Sequence, residues 1–472
     1  MAQYPQHVQF GGRLLLIGFG AIGRGVLPLL LRHIGLRPEQ ITILRAHAGD
    51  EDIVQACGVT QRVEPLRRDN YRAILDRHVG PGDFLLNLAI NVSSLALIEY
   101  CQERGVLYLD ACIEPWEGGH FDTSLTPAQR SNYAYREAAL ELRQRYGAGA
   151  TAVVNHGVNP GLVSHFLKQA LVNLAADSGL SAAAPTMKEE WAQLARTLGV
   201  KVIHVAERDS QYGQTPKRRG EFVNTWSSEA FVDESCQPAE LGWGTHERHW
   251  PAAARRYGFG RDCAIYLERP GASVQVRSWV PSEGPYRGFL ISHGEAISIA
   301  DYLSVHDGEG LVYRPTVHYA YHPCDDAVLS LHELAGKNWH MQPQLRLMMD
   351  DIIAGIDELG VLLMGHTKGA YWYGSQLSSD EARRLAPYNS ATTLQVTAGV
   401  LAGVVWVLRH PAQGITEPDE MDYAEVLKVA GPYLGPMVGV YTDWTPLEDR
   451  AHLFKEEVDR DDPWQFCNVL VT

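Results

Sequence analysis

Residues Arg13–His33 read RLLLIGFGAIGRGVLPLLLRH, and the fold class turns on how this stretch is parsed. Leu14 to Ile17 is a continuous apolar run, the pattern of a strand buried on both faces in a parallel sheet. Gly18, Gly20 and Gly23 follow in the spacing G-x-G-x-x-G, and Ala21 to His33 has the apolar content of the next helix. Each glycine has its own reason: Gly18 permits the tight turn, Gly20 lets a pyrophosphate approach the main chain, and Gly23 lets the helix lie close to the strand. First-turn N–H groups at Ala21, Ile22 and Gly23 then face the phosphates. A glycine-rich turn without a ligand would carry the same letters. The preceding strand, the following helix and the βα units beyond favour the dinucleotide reading.

Working outward, a second apolar run, ITIL, ends at Leu44 and is followed by Arg45, where NAD-binding chains commonly place an acid. Asp50 and Glu51 come several residues later. Arg45 suits a 2′-phosphate, which favours NADP, or a stack on adenine; the spacing leaves both open. EDIVQACG, NYRAILDRHV and SLALIEYCQERG read as helices, and QRVEP, DFLLNLAI, VLYLDA and ATAVVN as strands. A long helix is expected from Pro127 to about Arg145. This alternation predicts a doubly wound parallel sheet of Rossmann type. Asn87, Ala89 and Asn91 follow its fourth apolar strand, where loops reach a cofactor, and Asp110 ends the next; each is also an ordinary strand cap.

Beyond residue 160 the character changes. Strand-like runs such as VKVIHVAE, CAIYLERP and SVQVRSWV alternate with Gly/Pro-containing aromatic segments, which suits a second, mixed α+β domain for substrate and dimerisation. LQVTAGVLAGVVWVL reads as a buried helix whose Gly399 and Gly403 permit close packing. The expected division is residues 1–160, NAD-binding; 161–440, substrate-binding and dimerisation; and 441–472, a terminal segment packing back on the first domain. The 41 Lys and Arg against 56 Asp and Glu give a net charge of −15, which argues against a nucleic-acid partner and favours small cations. Seven scattered cysteines without a CxxC pair indicate reduced thiols. No run of about 18 apolar residues suggests a membrane span, and the N-terminus lacks a signal-peptide pattern, so a cytoplasmic location is the default expectation.

VNTWSSEAFVDES, residues 223–235, sets Trp226 among Glu229, Asp233 and Glu234 with no nearby lysine or arginine. It reads either as a half-buried strand followed by a solvated helix or turn, or as the lining of a pocket for a cation. Asp233 reads as surface charge. His318, His322, Cys324 and Asp325 in HYAYHPCDD offer metal-ligand types, but Pro323 interrupts a helix that would align them, and no metal is expected.

The NHGVNPG turn at Asn155–Gly161, taken with the glycine fingerprint, is similar to the saccharopine-dehydrogenase-like group. GFGAIGRG, IEPW, SNYA, GVNPG, AERD, FVNTW, PAELGWGT, ISIADYL, YAYHPCDDAVLSLHE, YWYGSQLS, YLGPMVGVYTDWTPL and DPWQF run the length of the chain. Together they resemble bacterial homospermidine synthases. The resemblance implies a homodimer that joins two putrescine molecules, or related diamines, and releases ammonia. It implies a bound NAD that takes a hydride from one diamine and returns it after amine exchange. By matched motifs, it places Trp226 over a cationic nitrogen and Glu207 and Glu234 on the amines. Glu114 falls near the pocket entrance. Asn159 lies by the nicotinamide and substrate, with Val158 and Pro160 beside it on the cofactor side, and His293 is an active-site histidine suited to proton exchange near neutral pH. Ordinary readings of the same residues are a core tryptophan, capping acids, a Glu207–Arg208 salt bridge and a turn-forming asparagine. Two other activities fit the nucleotide fingerprint alone: a saccharopine- or carboxynorspermidine-type oxidoreductase, whose substrate carboxylate would need a basic anchor, and a non-catalytic NAD-binding sensor.

Overall fold

The computed structural model describes residues 4–180 and 184–471. Leu14–Ile17 is a fully buried inner strand of a seven-stranded parallel sheet. On one side lie Ile41–Arg45 and then Thr60–Val63; on the other lie Phe84–Asn87, Leu107–Asp110, Ala152–Val153 and finally Ile415–Thr416. The chain runs outward through two strands and then jumps back across the first. The strand order therefore reverses between Leu14–Ile17 and Phe84–Asn87, which opens a crevice at their carboxyl ends.

The second unit is built on a ten-stranded mixed sheet. Its central strand, Val202–Asp209, pairs in parallel with Thr316–His322 and antiparallel with Ile356–His366. Because side chains alternate along a strand, Glu207 and Asp209 share a face with Tyr319, Tyr321 and Asp357. That face turns towards the first domain. His204 and His318 point to the opposite face, their rings 4.0 Å apart. His322 bonds the Pro323 carbonyl.

Two expectations need correction. The region Pro127–Arg145 is a short 3₁₀ turn, Pro127–Arg130, followed by a helix over Asn132–Tyr146. Ser131 separates them because its hydroxyl accepts from the Ala134 N–H and caps the second piece. The terminal segment packs on the second domain rather than the first. Phe466 lies against Trp243, and the Val471 N–H donates to the Gln275 carbonyl, so its apolar residues cover the far face of the large sheet. The buried helix expected over residues 394–408 is present as Ala391–Arg409, a 19-residue helix of mean hydropathy 1.7, apolar and long enough to cross a membrane by composition, and 89% buried inside the fold. Threonines and a glutamine within it hide its continuity in the letters.

This helix supports the domain junction. A Cβ on Gly399 would collide with the Gly157 carbonyl oxygen, and one on Gly403 would lie 2.5 Å from Leu109 and 2.8 Å from His156. The glycines let the helix press directly against the 155–161 loop.

Candidate active site

The crevice has the features of an anion-binding floor. Gly18 has φ +86, and a Cβ there would lie 2.7 Å from the Ala89 main chain, so only glycine fits the turn. A Cβ on Gly20 would meet nothing within 4 Å, which leaves open space above the turn. The helix Ala21–His33 has no side-chain cap, so its first N–H groups face that space. Across the crevice, Asn87 is buried and its Nδ2 has no hydrogen-bond partner, while Oδ1 accepts from the Ala89 N–H at 3.3 Å. These residues fit a dinucleotide: open backbone donors for a pyrophosphate, and a buried amide beside them that lacks a partner.

Other candidates on the cofactor side are tied up internally. Asp110 accepts from the Asn155 N–H at 2.6 Å and the Tyr108 hydroxyl at 2.7 Å, and burial pushes its carboxyl up to about 7. It clamps a strand end to the 155–161 loop. Arg45 Nη1 lies 3.0 Å from Asp50, which also meets Arg24 at 3.3 Å. Val158 is buried in the core, and the Asn159–Pro160 bond is cis.

The two cofactor-side loops each touch an acid of the second domain. Asn159 Nδ2 donates to Glu207 Oε2 at 3.2 Å, and Asn91 Nδ2 reaches Glu229 at 3.5 Å. Glu207 is 2% exposed and also accepts from the Tyr319 hydroxyl. Burial raises its carboxyl well above the usual range, and the tyrosine bond opposes that rise. The proposed Arg208 salt bridge is absent: Arg208 turns to the other face and pairs with Glu283 at 2.5 Å and Asp325 at 3.3 Å. Two further carboxylates share the Glu207 face. Asp209 is satisfied by Thr225 and Gln211. Asp357 is fully buried with neither carboxyl oxygen hydrogen-bonded, and burial beside Glu207 and Asp209 holds it strongly towards the neutral acid. Asp357 escaped the motif reading because it sits in an unremarkable strand, IDELG, and only the register with Asp209 brings it to the site.

The segment 223–235 folds as a buried strand, Glu221–Asn224, and a helix, Ser228–Cys236, with Trp226 at the bend. The Ser227 hydroxyl caps the helix by accepting from the Ala230 N–H. Trp226 is half-buried; its ring is 5.5 Å from Phe231 and its Nε1 donates to the Tyr321 hydroxyl at 3.4 Å. Tyr321 stacks on Tyr319 at 5.1 Å, and Tyr319 lies 4.4 Å from His293. An aromatic row thus runs from Trp226 to the acids. Glu234 Oε2 is 3.1 Å from His293 Nε2, and Glu295 Oε1 is 3.2 Å from its Nδ1. Burial works against charging His293, but Glu295 and Glu234 overcome it and push its pKa up to about 10. His293 is thus bracketed by two carboxylates, an arrangement that favours its protonated form over the exchange near neutral pH that the resemblance implies.

At the entrance, Glu114 is buried and meets His120 Nε2 at 3.2 Å. Asp233 is not surface charge. It is half-buried near His120, Glu114 and Glu229, and burial raises its carboxyl to about 7. Glu240, which flanks the segment, serves the fold instead, accepting from the Asn132 and Tyr133 N–H groups at the start of a helix.

Family models match the two parts separately: a saccharopine dehydrogenase NADP binding domain over residues 14–153 and a saccharopine dehydrogenase C-terminal domain over 157–442. Homospermidine synthase of Blastochloris viridis is 52% identical over 100% of both chains. That of Mesorhizobium japonicum is 49% identical over 99% of this chain and 98% of its own. The crystal structure of homospermidine synthase from Legionella pneumophila in complex with NAD superposes with a TM-score of 0.93 at 49% identity, covering 98% of each chain. Saccharopine dehydrogenase of Saccharomyces cerevisiae, at 10% identity and a TM-score of 0.52 over 92% of this chain and 100% of its own, shares the fold. With a dinucleotide crevice facing a buried acid cluster and relatives of this identity along its whole length, the chain belongs to the homospermidine synthases, within the saccharopine dehydrogenase-like fold.

Proposed function

We propose that the protein joins two putrescine molecules into homospermidine and releases ammonia, through oxidation of one diamine carbon, amine exchange at that carbon, and reduction. Bound at the Gly18–Gly23 turn, NAD supplies the acceptor and later donor of the hydride. The observation that carries this reading is Asp357 beside Glu207: two buried carboxyls facing the Asn159 loop, with the Arg208 guanidinium turned to the opposite face and paired with Glu283.

A diamine enters as a dication. Glu114, Glu229 and Asp233 draw it in. Glu207 and Asp357 hold the deep nitrogen, and Asp357 gains the partner it lacks. Only a neutral amine has the lone pair that iminium formation needs, so the reacting end must lose a proton. Glu207, with its raised pKa and the Tyr319 hydroxyl against it, is placed to take and return that proton. Trp226 offers a π face to the positive charge that develops, without being a base or nucleophile, worth about 0.5–2 kcal/mol. Glu234 holds the second amine. Val158 and Pro160 shape the loop that carries Asn159 to the reacting carbon.

Incubation with putrescine and catalytic NAD is the direct test. Homospermidine and ammonia should form in equal amounts with no build-up of NADH. Stoichiometric NADH would overturn the reading in favour of a simple dehydrogenase.

We read the assembly as a homodimer formed through the second domain, supported by exposed Tyr212 and Ile353, 54% and 52% accessible, on adjoining strands. Sedimentation at micromolar concentration should give twice the 52.4 kDa chain mass. A cytoplasmic location is supported by seven unpaired cysteines. The net charge of −15 speaks against nucleic acid, and burial of Ala391–Arg409 against a membrane partner.

A further inference from the structure

Glu295 belongs to none of the roles above. It lies in the first turn of the helix Gly294–Tyr302, is 1% exposed, and its Oε2 has no hydrogen-bond partner. Its other oxygen faces His293 Nδ1 at 3.2 Å while Glu234 faces Nε2 at 3.1 Å. An imidazole with a carboxylate on each nitrogen satisfies both only with a proton on each. We propose that Glu295 is a positioning residue: it keeps His293 doubly protonated, so that His293 acts as a fixed cation that holds Glu234 in place for the amine, and not as an exchangeable acid.

The groups that face His293 agree with this. Glu295 comes from its own helix, Glu234 from Ser228–Cys236, and Glu207 and the Tyr319 ring from two strands of the large sheet. All four are acidic or neutral, which favours the imidazolium. With both carboxylates ionised around an imidazolium, the trio carries one net negative charge, which attracts one ammonium. Without Glu295, the neutral tautomer with Nε2–H towards Glu234 becomes sufficient, and the charge of the trio then varies with pH.

The inference rests on the proposed function only in taking Glu234 as the holder of an amine. Its test begins with the free protein, which needs no substrate. The ¹⁵N signals of the His293 ring in the parent should remain those of imidazolium from pH 6 to 8. In Glu295→Gln they should titrate within that range, and kcat/KM for putrescine should gain a new alkaline limb, falling about tenfold per pH unit above it. Glu295→Asp should restore the parent profile, and NAD affinity should be the same in all three. A parent His293 that titrates near 6.5, or identical titrations in parent and Glu295→Gln, overturns the inference. If the ring behaves as described but no homospermidine forms, the inference stands and the proposed function falls.

Discussion

At Trp226 the indole competes for no hydrogen bond beyond Tyr321 and sits at the bend that leads into the acid-bearing helix. Its contribution should come from the ring face. Trp226→Phe should keep more turnover than Trp226→Ala, with a gap of about 2- to 30-fold, the kinetic equivalent of about 0.5–2 kcal/mol. Equal rates from the two variants would remove the aromatic–cation role. Glu207 makes a different kind of prediction. Its raised pKa means that the ionised base is lost as pH falls through that value, so kcat/KM should decline on the acid side. Glu207→Gln should lower activity by about 10²-fold and abolish that limb while sparing NAD binding; an unchanged profile would assign the base elsewhere. The letters showed Trp226, Glu207 and Glu234 because each sits in a distinctive motif. Asp357 and Glu295 were silent, since their significance lies in what faces them across a strand register and across a histidine ring.

Among the elements, the helix Ala391–Arg409 carries the clearest test. Replacing glycine by alanine in a helix interior normally stabilises by up to about 1 kcal/mol. At Gly399 the added methyl would strike the Gly157 carbonyl in the loop that presents Asn159. Gly399→Ala should therefore reverse the usual sign, costing about 1–3 kcal/mol in thermal or denaturant unfolding, with a loss of activity beyond that of stability. Most of the first domain was legible because its inner strands are short apolar runs separated by helices. The second was not. Its sheet places Pro238–Gly242 beside Thr316–His322, and Val202–Asp209 beside Ile356–His366. Long-range pairing of that kind leaves no periodic trace in the sequence. The break at Ser131 was equally hidden, since a capping serine looks like any other serine inside a helical run.

Over the whole molecule, the buried acids give a pH signature. Burial raises the folded-state pKa of Glu207, Asp209, Asp357, Glu234 and Glu240. Below the ordinary carboxyl range both folded and unfolded forms are protonated and stability is undiminished. As pH rises through the folded values, stability is lost, because the unfolded chain has already released those protons. The buried His156, His165, His204 and His318 act oppositely: their pKa values are lowered by burial, so stability is lost as pH falls below about 6.5. A dication that pairs with the acids offsets the first loss. The rise in Tm on adding putrescine should therefore be larger at pH 8 than at pH 6, and an equal rise at both would show that the buried carboxyls do not meet the ligand.

The strand Ile415–Thr416 closes one edge of a sheet whose other six strands end by residue 153. During translation, that edge stays open until more than 260 further residues have been added, since Thr416 lies 263 positions beyond Val153. The nucleotide half thus waits on the ribosome for a piece made long after it. The two halves cannot be exchanged as modules between relatives at a single crossover without also importing that late strand.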